Sequence, residues 1–163
     1  MPIINSIASW LMKKRMHQIE LFVKYPHEVQ QEWMHKLVTD AKDTEFGKRH
    51  HFASIKNYEQ FKRNIPLQDY ESLKPAIELT RRGAQNLLWP GEINWFAKSS
   101  GTTDKSKFIP VSAESLDGCH YNAGRDMVTL HCINNPDTLL FTGQTLALGG
   151  SSKTAVFGNH NSF

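Results

Sequence analysis

Apolar residues recur at helical spacing through the first 24 positions, at Ile3, Ile7, Trp10, Leu11, Ile19, Phe22 and Val23. Pro26 interrupts this pattern. A second helix is predicted from His27 to about Asp43, with Val29, Trp33, Leu37 and Val38 on one side. Gly47, within Thr44–Lys48, supplies a stop signal. Ser54 then caps a short helix predicted over Asn57–Arg63, with Tyr58 and Phe61 facing inward. Residues 64–92 read as connecting structure. Asn64-Ile65-Pro66 marks a turn, and Tyr70–Glu78 holds a helical turn that Pro75 limits. Leu87-Leu88-Trp89 ends on Pro90-Gly91, a strong turn pair.

The texture changes after residue 92. Ile93–Ala97 is short, apolar and partly aromatic, as a strand is, and Phe108–Val111 reads as a second strand. Between them lies a small, polar, hydroxyl-rich stretch. Ser112 is a helix cap, with Glu114 in the first turn where the helix dipole favours an acid. The helix is predicted to run to about Ile133 and to end near Asn134-Asn135-Pro136. Leu139–Thr142 and Thr145–Leu148 resemble two further short strands. The tail, Gly149–Phe163, is rich in Gly, Ser and Asn, and no helix or strand is predicted in it. The fold class is α/β. Residues 1–92 are mainly helical, and residues 93–163 form a hairpin, a helix and the start of a sheet. A domain whose sheet has only begun is expected to be part of a larger one.

Bulk composition narrows the classes. The 163 residues are 39% hydrophobic and 21% charged, a globular balance rather than a disordered one. Nineteen Lys and Arg against 16 Asp and Glu leave a net charge of +3, too small an excess to argue for nucleic acid. No apolar stretch reaches the ~20 residues a spanning helix needs. Near the start, Lys13, Lys14 and Arg15 follow the apolar run, the reverse of a secretory signal. The two cysteines, Cys119 and Cys132, are too few for a disulfide framework, and with no export signal a reducing cytoplasm is expected. The amphipathic start of the chain fits a helix packed on its own protein; the same face is of the kind that lies on a membrane.

The chemistry concentrates in Lys98-Ser99-Ser100-Gly101-Thr102-Thr103-Asp104-Lys105-Ser106-Lys107. Gly101 lets the backbone turn tightly and approach a ligand. Successive N–H groups in such a turn form an anion-binding nest. The hydroxyls of Ser99, Ser100, Thr102 and Thr103 add donors, and Lys105 and Lys107 set positive charge against phosphate oxygens. A Walker loop requires a second Gly before its Lys and opens a helix; here the Lys leads into a strand. A nucleophile elbow requires Gly on both sides of the serine, which Ser100 lacks. From composition alone, a solvent-exposed Ser/Thr hairpin loop with no ligand explains the stretch as well.

Ser-Ser-Gly-Thr-Thr followed by Lys resembles the phosphate-binding motif of adenylate-forming enzymes. Phe96–Thr103 with Lys107-Phe108-Ile109-Pro110-Val111 is similar to the auxin-responsive Gretchen Hagen family of acyl-acid amido synthetases, particularly its bacterial branch. Ile65–Glu71 and Leu88-Trp89-Pro90-Gly91 extend the resemblance through most of the chain. One departure is Asp104, which stands where the motif usually has Gly. The resemblance implies the first strands of an adenylate-forming-enzyme large domain. It implies ATP-dependent activation of a carboxylic acid as an acyl adenylate, followed by amide formation with an amine. The implied ATP-binding residues are Ser99, Ser100, Gly101, Thr102, Thr103 and Lys107, with Lys105 a weaker member. The implied cofactors are ATP and Mg²⁺, the Mg²⁺ ligand being expected outside this chain. No catalytic residue is assigned within it. The competing readings are a non-catalytic helical module that binds a partner or membrane, and a degenerate nucleotide binder.

Other chemistry-bearing residues form weaker patterns. Cys119-His120 and His131-Cys132 lack the short paired spacing of zinc sites. A cysteine such as Cys119 in a helix is ordinarily a small buried apolar residue. His50 and His51 are expected in solvated loop. Tyr121 and Asp126, on the helix after the loop, are open to either an acyl pocket or ordinary packing and solvation.

Overall fold

The computed structural model describes residues 2–99, 106–135, 137, 138, 140, 141, 144, 146, 155–157 and 160–162; for 2–9, 11 and 155–162 it describes the backbone alone. Its elements are α1 (Pro2–Lys24), α2 (Pro26–Ala41), α3 (Glu45–Arg49), α4 (Tyr58–Asn64), α5 (Tyr70–Arg81), β1 (Trp95–Lys98), β2 (Phe108–Val111), α6 (Ala113–Ser115), a π-helical turn over Leu116–Tyr121, α7 (Asn122–Asn134), β3 (Ala155–Phe157) and β4 (His160–Ser162). The chain divides into two units, Met1–Val29 with Asp117–Gly150 and Gln30–Leu116 with Ser151–Phe163. No helix among the described residues is long and apolar enough to cross a membrane.

In the first unit, α1 lies against α7. The half-buried face of α1 is Met12, Arg15, Met16 and Ile19. Trp10, Phe22 and Val23, expected on the inner face, are exposed, and Ile3, Ile7 and Leu11 fall outside the described side chains. On α7 the inward residues are Asn122, Asp126, Val128, Thr129 and Cys132. The Arg15 guanidinium grips the Asp126 carboxylate with two nitrogens, Nε to Oδ1 at 2.5 Å and Nη2 to Oδ2 at 2.7 Å.

The second unit has two apolar clusters. Val38, Ala41, Phe52 and Ile55 form one, with Met34, Phe46, Phe61 and Ile65 packed around them. Ile77, Ile93 and Phe96 form the other, with Tyr70, Leu73, Leu88 and Phe108. Trp89 packs against both. The inward face of α2 is therefore Met34, Val38 and Ala41, while Trp33 and Leu37 point outward. Gly47 is not a stop. It sits buried inside α3, where a Cβ would stand 2.1 Å from the Ala41 carbonyl oxygen. Thr44, fully buried, caps α3: its Oγ1 accepts from Gly47 N–H at 2.9 Å and donates to Ala41 O at 2.7 Å. The first two N–H groups of α3 donate to the carbonyls of Asn86 and Leu87, so this helix end is satisfied by the segment leading to Trp89.

Asn57, not Ser54, caps α4, its side chain accepting from Gln60 N–H; Ser54 ends a separate 3-10 turn over Phe52–Ser54. Tyr58 is exposed, whereas Phe61 does pack inward. Helix α5 is a full twelve residues despite Pro75. The missing proline N–H leaves only the carbonyl of exposed Glu71, which water can solvate. Asp69 and Ser72 close a capping box at its start. At its end Gly83 takes φ 101° and a Schellman turn forms, Ala84 N–H to Leu79 O and Gly83 N–H to Thr80 O.

Strands β1 and β2 pair antiparallel, Trp95 opposite Val111 and Lys98 opposite Phe108. Ser112 caps the following helix by accepting from Ser115 N–H. The predicted single helix to Ile133 is interrupted by the π-helical turn. The predicted strands at 139–142 and 145–148 fall largely outside the described residues, and Leu140 and Phe141 lie in a turn. The tail does carry regular structure. β3 and β4 form an antiparallel hairpin, Ala155 opposite Ser162, and β4 lies beside β1.

Candidate functional site

The hydroxyl-rich stretch leaves one strand of a hairpin and re-enters on the other. Its closing pair is Ser99 and Lys107. Ser99 N–H donates to Lys107 O at 2.9 Å, and Lys107 N–H donates to Ser99 Oγ at 3.0 Å. Ser99 is thus held by its backbone and side chain together at the mouth of the loop. Ser100, Gly101, Thr102, Thr103 and Lys105 lie outside the described residues, as does Asp104.

A surface cavity of about 360 Å³ opens beside the loop's exit, lined by Tyr70, Lys74, Lys98, Ser106, Lys107 and Phe108 together with Glu71 and Glu78. Lys98 ends β1 and Lys107 directly precedes β2, one on either side of the loop. Lys74 Nζ pairs with Glu71 at 3.1 Å, and Arg81 Nη1 donates to both oxygens of Glu78 at 2.9 and 3.0 Å. The acids of the wall are therefore matched by bases of α5 itself. Lys107 Nζ rests 5.2 Å from the Tyr70 ring centroid. The Asp69 carboxylate, next to Tyr70, is held below its usual range by the Ser72 N–H and hydroxyl, and the Lys107 charge acts in the same direction. This donor set of ammonium and hydroxyl groups suits the oxygens of a polyphosphate. Among the described residues no group of three or more His, Cys, Asp or Glu side chains is placed to hold a metal ion.

Phe108 aside, six residues lining this cavity lie outside the binding residues assigned from the motif: Tyr70, Glu71, Lys74, Glu78, Lys98 and Ser106. Lys98 and Ser106 flank the motif residues and are legible as part of the same stretch. Tyr70 and Lys74 arrive through α5, and only the tertiary packing of that helix on β2 brings them there. The remaining candidates have surroundings of their own. Asp126 is committed to Arg15, and Tyr121 is exposed. Cys119 is exposed rather than buried. His50 ends α3, half-buried against Phe46, with Nδ1 3.1 Å from the Asn64 carbonyl rather than in open loop.

A second cavity of about 270 Å³ is lined by Leu87, Trp89, Ile93, Pro110, Ser112 and neighbours. Trp89 Nε1 donates to Glu114 Oε2 at 3.1 Å. Glu114 is held below the usual glutamate range by its own backbone N–H, then by the Ser112 hydroxyl and this indole.

Helices together with a short antiparallel hairpin, and lysines at the base of the hairpin's loop, define an α/β protein. Residues 15–155 match the family model described as the GH3 family N-terminal domain. The chain belongs to the GH3 family. It is 31% identical over 106 residues to the indole-3-acetic acid-amido synthetase GH3.2 of Arabidopsis thaliana, covering 64% of this chain and 19% of that protein. It is 29% identical over 107 residues to the Arabidopsis indole-3-acetic acid-amido synthetase GH3.5, covering 64% and 18%. A probable indole-3-acetic acid-amido synthetase GH3.2 of Oryza sativa subsp. japonica is 27% identical over 106 residues, covering 64% and 17%. The matched stretch thus spans about a fifth of the length of these curated relatives.

Proposed function

We propose that this chain supplies the phosphate-binding loop of an ATP-dependent acid–amido synthetase, as the N-terminal part of an adenylate-forming large domain. The observation that carries the reading is the reciprocal Ser99–Lys107 closure, with Lys98 ending β1 and Lys107 directly before β2 at the mouth of a hydroxyl-rich loop. In the reaction a carboxylate oxygen bonds to the α-phosphorus of ATP as the bond to the bridging oxygen breaks, and pyrophosphate leaves. An amine nitrogen then bonds to the acyl carbon, AMP departs, and the nitrogen loses a proton. Both the acid and the amine are small molecules whose contacts lie beyond the phosphate site.

The demand on this chain is to hold the β- and γ-phosphates and to neutralise charge as pyrophosphate leaves. Ser99, Ser100, Gly101, Thr102 and Thr103 offer backbone and hydroxyl donors. Lys107 offers charge, and Lys105 is a weaker candidate for the same role. Mg²⁺ would accompany the nucleotide and screen the same oxygens, its protein ligands lying outside this chain. Glu71 and Glu78 do not fit that role, since each already pairs with a base.

The test uses the complete gene product. Lys107→Ala is expected to weaken MgATP binding by about 10- to 100-fold, the loss of one charge-assisted contact. Acid-dependent ATP–pyrophosphate exchange should fall with it. Wild-type exchange and binding in that variant would remove Lys107 from the mechanism.

A further inference from the structure

The loop's exit is held from below by one side chain that the motif does not contain. In the antiparallel pair, Lys107 turns its N–H and C=O toward Ser99. The next residue, Phe108, therefore turns its N–H away from β1, as alternate residues of a strand do. That outward N–H donates to the Tyr70 hydroxyl oxygen at 3.0 Å. The same phenol ring lies beneath the Lys107 ammonium, at a centroid distance of 5.2 Å. Tyr70 is itself firmly placed. It is the first residue of α5, directly after the capping residue Asp69, and it packs against the Ile77–Ile93–Phe96 cluster. At the far end of the same helix, Arg81 stacks its guanidinium 3.6 Å over the Phe108 ring.

We propose that Tyr70 is a positioning residue for Lys107, fixing the backbone where the phosphate loop ends and holding the lysine's ammonium over its ring at the edge of the anion site. The inference rests on the phosphate-loop reading of this hairpin. Tyr70 acts in two ways. Its oxygen fixes the Phe108 amide and so the direction in which β2 leaves the loop. Its ring face attracts the ammonium and limits the rotamers Lys107 samples before an anion arrives, which lowers the ordering cost of binding. The ring is a weaker partner than a phosphate, so the lysine is held ready rather than sequestered.

A double-mutant cycle on the complete gene product tests this, with MgATP binding as the readout. The variants are Tyr70→Phe, Tyr70→Leu, Lys107→Ala and Tyr70→Leu with Lys107→Ala. Tyr70→Leu should weaken binding by about two- to five-fold in the wild-type background, the scale of a partly exposed cation–π contact. It should cost nothing further once Lys107 is alanine. Tyr70→Phe keeps the ring and guards against a folding defect; it should retain most of the affinity while the Phe108 amide exchanges faster with deuterium. Equal fold losses for Tyr70→Leu in both backgrounds would overturn the proposal, because a residue that merely supports the fold acts without Lys107. An intact affinity in Tyr70→Leu would overturn it as well. If instead Lys107→Ala binds MgATP as wild type does, the phosphate-loop reading itself fails, which is a different result from additivity.

Discussion

The two units of this chain hold together by different means. In Gln30–Leu116, apolar side chains dominate: two clusters meet at Trp89, and Phe96, Ile77, Ile93, Val38 and Ile55 are nearly removed from water. Among the described side chains of the α1–α7 pair the seam is mostly half-buried, and a bidentate ion pair lies within it. Large apolar residues there remain outside, Trp10 at 65% exposure, Val23 at 78% and Met127 at 69%. The difference shows where structure is needed for the loop. Both strands of the hairpin, and the helix that supports its exit, are rooted in the apolar unit. Burial is non-directional but large, whereas a partly exposed ion pair is directional and small.

Phe96→Ala tests the first half of that contrast and has the largest expected effect. Phe96 lies on β1, 3% exposed, in contact with the cluster beneath the hairpin. Truncation should cost about 3–5 kcal/mol, the transfer loss plus the cavity left behind. Urea denaturation followed by far-UV circular dichroism measures it. A cost under about 1 kcal/mol would mean that the site above Phe96 collapses without penalty and that apolar packing does not anchor the hairpin.

Gly47→Ala is the next smaller change. The added methyl would meet the Ala41 carbonyl, a backbone atom that moves only if the α2–α3 junction opens. The expected cost is about 1–3 kcal/mol, read from the same urea midpoints. A neutral substitution would show that this junction is loose and that the Thr44 cap does not fix it. The position also shows why part of the fold is illegible in the sequence. A glycine after an amphipathic run signals a helix end, and nothing local distinguishes that role from close contact with a carbonyl six residues earlier. The same limit applies to Trp33 and Leu37. Periodicity marks an apolar stripe on α2 but not which edge of it meets Phe52 and Ile55.

Sequence is a sufficient guide where the chemistry that decides is itself local. Phe108–Val111 reads as a strand, and Ser112 as a cap, because the turn residues and hydroxyl sit in place. The hairpin at Ala155–Phe157 and His160–Ser162 is hidden, since a Gly-, Ser- and Asn-rich tail carries no alternating pattern. For the site, the motif points to Ser99 and Lys107. Tyr70 cannot be found this way, 37 residues upstream of the lysine it lies beneath. The helix that places it is masked by Pro75, which makes the segment look too short to be one.

The ion pair of the other unit gives the smallest and most condition-dependent effect. Arg15 and Asp126 are about a fifth to a quarter exposed. Solvent screening therefore limits the pair to about 0.5–1 kcal/mol, or about 1–4 °C in Tm. Asp126 is held below the usual aspartate range chiefly by the Arg15 hydrogen bond, with burial opposing and the charge of Arg15 assisting. Arg15 is shifted upward by the same partner and stays charged throughout. The carboxylate thus sets the pH window. A depressed native pKa means the contribution is complete above the unfolded aspartate's pKa and is lost as pH falls through the native value. Asp126→Asn should accordingly melt below wild type at about pH 6, with the gap narrowing at about 1 M salt and closing as the pH falls well below about 4. A gap that persists unchanged at low pH would mean that the substitution disrupts packing rather than charge, and the seam between α1 and α7 would then belong with the apolar unit after all.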